Sequence, residues 1–172
     1  MNNHPLECIC SHRDESFQLK FARQAIRFLP PRPDRSFELS HKGLIVSGET
    51  EASLASVIDV LKSVYAEHLC VGELTIRYRH GAEVEEPHMG VRVLCLASHF
   101  DAVRDDLVAR GAVISDAEVM PPIGVLRATA SLVKLLGYPR DLAALTQAKA
   151  REVMWLSHYA PLATPPPDGS AA

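Results

Sequence analysis

The sequence predicts an α+β protein of two consecutive units, each running strand–helix–strand–strand–helix–strand around an antiparallel sheet. Three observations predict it. Apolar residues recur with period two and then with period 3.6, in the same order, twice along the chain. The second helix starts at a matching distance in both units: 45 residues separate Pro5 from Thr50, and 46 separate Met89 from Leu135. Finally, 172 residues suit two small domains. Each such domain buries only about 60% of its unfolded surface, so the two gain from packing on each other.

The elements follow in order. Leu6, Cys8 and Cys10 alternate with Glu7, Ile9 and Ser11 in a half-buried strand over Pro5–Arg13. Asp14 is placed to cap a helix that carries Phe17, Phe21, Ala25 and Phe28/Leu29 on one stripe. Pro30, Pro31 and Pro33 stop it. Ser36–Lys42 and Gly43–Glu49 read as strands joined by a tight turn. Leu54, Val57, Ile58, Leu61, Val64 and Tyr65 form the clearest amphipathic helix, and Cys70–His80 reads as one further strand. Gly81–His88 is acidic and contains proline, and it reads as a linker.

The order then repeats. Met89–Ala97 is a Val- and Leu-rich strand, and Ser98 with Asp101 forms a capping-box pattern. Phe100, Val103 and Leu107 mark a helix closed by Arg110 and a C-terminal Gly111. Ala112–Met120 and Ile123–Leu132 read as strands around Pro121–Pro122. Pro139 suits the first turn of a helix that reaches about Ala148, and Arg151–Tyr159 is the last strand. Residues 161–172 hold four prolines and no apolar period, and read as a disordered tail. The arrangement is the ferredoxin-like one, with domains over 1–80 and 89–160.

Composition narrows the function classes. Hydrophobic residues are 47% and charged residues 23%, the mix of a globular chain. No apolar run approaches the roughly 18 residues that span a bilayer. The start, Met1 to Pro5, lacks a cationic stretch followed by an apolar one, so the expectation is a cytoplasmic protein with no membrane contact. Residues 1–80 carry ten Lys/Arg and ten Asp/Glu, and residues 89–172 carry eight of each. The net charge of -3 comes from Glu83, Glu85 and Glu86. Autonomous, tight nucleic-acid binding needs a basic excess, so the charge balance argues against it.

Motifs for chemistry are missing from the sequence. The cysteines Cys8, Cys10, Cys70 and Cys95 include no C-x-x-C pair, so no metal is expected. Cys8 and Cys10 share a strand face and read as small buried hydrophobes, and Cys95 with His99 lacks a third partner. Neither G-x-x-x-x-G-K-[ST] nor G-x-G-x-x-G occurs, so no nucleotide cofactor is expected. G-x-S-x-G and H-E-x-x-H are absent too, and the chain is expected not to be an enzyme. RNA recognition by stacking needs aromatics on central strands, and Leu6–Cys10, Gly43–Ser47, Gly90–Leu96 and Gly124–Ser131 have none.

One run carries a resemblance. Glu86-Pro87-x-Met89 leads into a strand, Arg110-Gly111 closes a helix, and Leu136-Gly137-Tyr138 opens the next. Leu142, Leu145-Thr146-Gln147, Ala150, Met154 and Tyr159 follow. This run resembles the C-terminal domain, domain V, of elongation factor G and related translational GTPases. The first unit is similar to domain III of the same family through Ser36-Phe37, Ile45 to Gly48, Asp59-Val60-Leu61-Lys62, Val71-Gly72 and Tyr78-Arg79. The GTPase domain, domain II and domain IV have no counterpart, and Gly81–His88 stands where domain IV would be. Eight residues span at most about 27 Å, which tethers the two units side by side.

The resemblance implies a non-catalytic protein that contacts the ribosome's factor-binding region or a partner GTPase. The candidate contacts are Arg110, Gly111, Lys134, Tyr138, Arg140 and Lys149. In the family the turns of domain V that match Arg110-Gly111 and Tyr138 lie near ribosomal RNA and protein, and cations at loop or helix ends suit phosphate contacts. Weak binding is expected, since the balanced charge gives little electrostatic drive. The alternative is a regulatory module that binds a small molecule or another protein in a concave site.

Overall fold

A computed structural model describes residues 4–162. In the first unit, β1 (Leu6–His12) lies between β3 (Gly43–Gly48) and β4 (Leu69–Val71), and β2 (Arg35–Ser40) flanks β3. All pairs are antiparallel, with Cys8 opposite Val46 and Phe37 opposite Val46 on the other side. The alternation of β1 works as read: Leu6, Cys8 and Cys10 are buried under the helices. Asp14 accepts the Ser16 N–H at 3.0 Å and starts a single 3-10 turn, after which α1 (Gln18–Phe28) buries Phe21, Ala22 and Ala25. Thr50 accepts the Ser53 N–H at 3.2 Å and starts α2 (Glu51–Tyr65), whose Leu54, Val57 and Leu61 complete the layer.

Cys70–His80 is not one strand. β4 ends at Val71, β5 (Thr75–Ile76) pairs with the opposite end of β1, and β6 (Arg79–His80) pairs in the other sheet. Gly72 lies so close to Ile9 that a side chain there would press on the Ile9 carbonyl, which accepts the Gly72 N–H at 2.8 Å. The ladder to β1 is displaced at that close approach. The alternation of Leu74, Ile76 and Tyr78 across it hid the break.

The second unit repeats the plan with β7 (Val84–Leu96), α3 (Phe100–Ala109), β8 (Val113–Met120), β9 (Ile123–Ser131), a short α4 (Leu132–Leu135), α5 (Tyr138–Thr146) and β10 (Arg151–Pro161). Its order is β10-β7-β9-β8, which matches β4-β1-β3-β2 strand for strand. The molecule is therefore an α+β protein of two tandem ferredoxin-like units with antiparallel sheets. Met89, Val91, Val93, Cys95, Leu126, Ala128 and Ala130 face the helices and are buried.

The acidic segment is structured from Val84 on. Val84 and Glu85 pair with His80 and Arg79, and Glu85 to Pro87 pair with Pro161 to Tyr159. β10 runs through Pro161, and the Leu162 N–H donates to the Val84 carbonyl at 2.9 Å. The rest of the expected tail, 163–172, lies outside the described residues. α5 stops at Thr146, because Gln147 and Ala148 take left-handed backbone angles, φ 53° and 59°.

Two carboxylates bridge the units. Glu51 Oε2 accepts the Gly137 N–H at 2.8 Å, and Glu49 Oε1 accepts the Leu156 N–H at 3.0 Å. The register of β10 shifts between Leu156 and His158, so Glu49 takes an amide where the ladder is interrupted. The Arg79 guanidinium stacks 3.8 Å over the Tyr159 ring at the same junction. The buried side chains of both units belong to one hydrophobic cluster.

Candidate functional site

Five of the six residues picked from the resemblance meet at one corner of the second unit. Arg110 ends α3, and its Nε lies 3.0 Å from Asp106 Oδ2 and its Nη2 lies 2.8 Å from Asp141 Oδ2. Its Nη1 donates to the Lys134 carbonyl at 3.2 Å. The guanidinium also sits 5.0 Å from the Tyr138 ring centroid. It thus ties α3 to α4 and α5, with its side chain only 17% exposed. Burial alone would lower its pKa, but the bonds to Asp141 and Asp106 outweigh this and raise it. Asp141 is held below the usual carboxylate range, by Arg110 first and by Arg140 second.

Tyr138 is fully buried at the start of α5, and burial pushes its phenol well above the ordinary value. Its hydroxyl has no hydrogen-bond partner among the described residues. Gly111 turns the chain with φ 76°, a left-handed angle that other residues rarely take. A side chain at Gly111 would meet Lys134. Arg140 is exposed and rests on Asp141 Oδ1 at 3.1 Å. Lys134 forms no ion pair among the described residues, and neither does Lys149. Lys149 follows the far end of α5, away from the corner, and borders a groove of about 150 Å³ with Leu94, Leu96, Ile123 and Arg151.

Beside the corner opens a larger cavity of about 440 Å³, edged by Glu86, His88, Ser131, Lys134 and His158. The His88 and His158 rings stack with centroids 5.1 Å apart. Ser131 Oγ donates to Glu86 Oε2 at 2.7 Å, and His88 Nε2 lies 3.6 Å from Glu86 Oε1. From this cavity the sheet face opposite the helices continues along β7.

That face holds residues that belong to none of the motifs above. Register places Trp155, Gly90, Thr129 and Val113 in one row, and Val153, Arg92, Arg127 and Asp116 in the next. Arg151, Leu94, Val125 and Glu118 form a third. The central strands carry no aromatics, but Trp155 comes from edge strand β10 and lies over central β7 at Gly90. The signal was legible: Arg151, Val153 and Trp155 alternate on one face, and the 4-1-3-2 order sets that strand beside Gly90.

No protein-family model matches the chain. The chain is similar to elongation factor G of Mycoplasma pneumoniae, with 31% identity over 75 residues. That stretch covers 44% of this chain and 11% of the elongation factor. The relationship is therefore to a translation elongation factor, over a small part of that protein's length. No helix among the described residues is long and apolar enough to cross a membrane.

Proposed function

We propose that the chain is a non-enzymatic, translation-factor-like protein of the cytoplasm whose second unit docks weakly on the ribosome's factor-binding region or on a partner GTPase. The similarity to elongation factor G over 75 residues carries this reading. Lys134 and Lys149, which form no ion pair among the described residues, supply the polar contacts together with exposed Arg140. Gly111 shapes the turn beside Lys134, and Arg110 with Tyr138 frames the corner. The balanced charge of each half keeps such contacts weak and sensitive to salt.

Co-sedimentation with ribosomes, with and without GTP and at low and high salt, tests it. Association at low salt should weaken when Lys134, Arg140 and Lys149 are all replaced by Ala, with the melting curve nearly unchanged. A wild-type chain that stays in the supernatant at low salt overturns the reading. The regulatory-module alternative then takes its place, with the cavity of about 440 Å³ as the seat of its ligand.

A further inference from the structure

We propose that the open face of the second sheet binds single-stranded RNA, with bases stacked on Trp155 and phosphates held by Arg92, Arg127 and Arg151. The proposal goes beyond the ribosome reading and stands without it, because its base-stacking and phosphate-holding residues are different ones, although Arg151 shares a groove with Lys149.

Trp155 is the first observation. A methyl group at Gly90 would overlap three contiguous atoms of the indole, Cε2, Cζ2 and Nε1. The indole therefore lies across the Gly90 backbone, which only the missing side chain permits. The residue nevertheless keeps 42% of its surface exposed. A rigid ring laid against a strand with open surface is a platform for a base, since every base has a π-face to offer.

The arginines are the second. Arg92 and Arg127 stand directly opposite each other on neighbouring central strands, next to the Trp155 row. Like charges in that position destabilise a sheet. Neither one, nor Arg151, has an ion pair among the described residues. Asp116 follows Arg127 in its row and Glu118 ends the Arg151 row, and neither carboxylate forms an ion pair among the described residues. Glu86, at the end of the face, is engaged by Ser131 and His88. The guanidinium donors of Arg92, Arg127 and Arg151 thus remain open to phosphate oxygens, with Asp116 and Glu118 limiting the net positive charge of the face.

The shape selects a single strand. Outward side chains along β7 recur about every 6.8 Å, so rings and cations form rows across an open surface. A duplex keeps its bases stacked inside and offers Trp155 no ring. Thr129 lies in the Trp155 row, where a ribose 2′-hydroxyl gives it a partner that deoxyribose lacks. The stacked His88 and His158 extend the platform toward the larger cavity. The balanced charge of the whole chain sets the affinity in a modest range.

The test is fluorescence anisotropy of a fluorescein-labelled oligouridine of about twelve nucleotides, a length within the site sizes of such surfaces. Saturable micromolar binding is expected at about 50 mM salt, with a log–log salt slope near -2 for three phosphate contacts. Trp155→Ala should weaken binding roughly tenfold and leave the slope alone, with Trp155→Phe recovering most of the loss. Arg92→Gln with Arg127→Gln should weaken it and reduce the slope by about 1.4. Circular dichroism checks that each variant is folded. Absence of saturable binding overturns the proposal, as does binding indifferent to both variants or equal binding of a duplex. Equally tight binding of the deoxyribo-oligomer overturns the choice of RNA.

Discussion

Arg110 makes bonds to Asp106, Asp141 and the Lys134 carbonyl, so its loss should register in stability. Arg110→Ala is expected to cost about 1.5–3 kcal/mol in urea melts, the range for hydrogen bonds to charged groups. Arg110→Lys should recover little, since an ammonium cannot reach three acceptors with a planar fork. Asp141 carries the matching pH dependence. Its native pKa is depressed, chiefly by Arg110, so the unfolded chain takes up protons first as pH falls. The stabilisation is complete above the ordinary aspartate value of about 3.9 and is lost as pH drops through and below it. Melting temperatures between about pH 5 and 3 should fall more steeply for the natural chain than for Asp141→Asn. Tyr138 gives the opposite expectation: its buried hydroxyl has no partner among the described residues, so Tyr138→Phe should be neutral or stabilising in the same melts. The identity of these residues was legible from the sequence, but their use was not. Nothing in Arg110-Gly111 announces that Asp141, 31 positions on, takes the guanidinium.

At the scale of elements, periodicity worked where one face is buried and the other wet. α2 is the plainest case. Leu61 is fully buried in the middle of its stripe, and Leu61→Ala should cost about 2–5 kcal/mol in denaturant melts. A change below about 0.5 kcal/mol would contradict that burial. Both sheets and all four long helices were readable this way. Cys70–His80 and Gly81–His88 were not, because ladder partners rather than local pattern decide them. Val84 to Glu86 look like a linker to any local rule, since strand propensity is poor for Glu. They are strand because Arg79, His80 and Ala160–Pro161 lie beside them. The open face was hidden for a related reason: Trp155, Arg92 and Arg127 are far apart in sequence and meet only through register.

Over the whole molecule, Glu49 and Glu51 supply hydrogen bonds that link the two units. Glu49 lies between β3 and the N-cap Thr50, Glu51 opens α2, and both carboxylates accept backbone amides of the second unit. Replacing both with Ala should lower hydrogen-exchange protection at Gly137 and Leu156 and loosen the coupling between the units. The natural chain should then unfold in one step and the double variant in two. The placement of Trp155 makes this measurable without a label. It is the only tryptophan in the chain, and it belongs to the second sheet. Emission excited at the red edge of the absorption band therefore reads one spot on one unit, whereas far-ultraviolet dichroism reads the backbone of both. Superposed traces mean that the optical signal of a single indole speaks for every residue, and separated traces time the departure of one unit from the other.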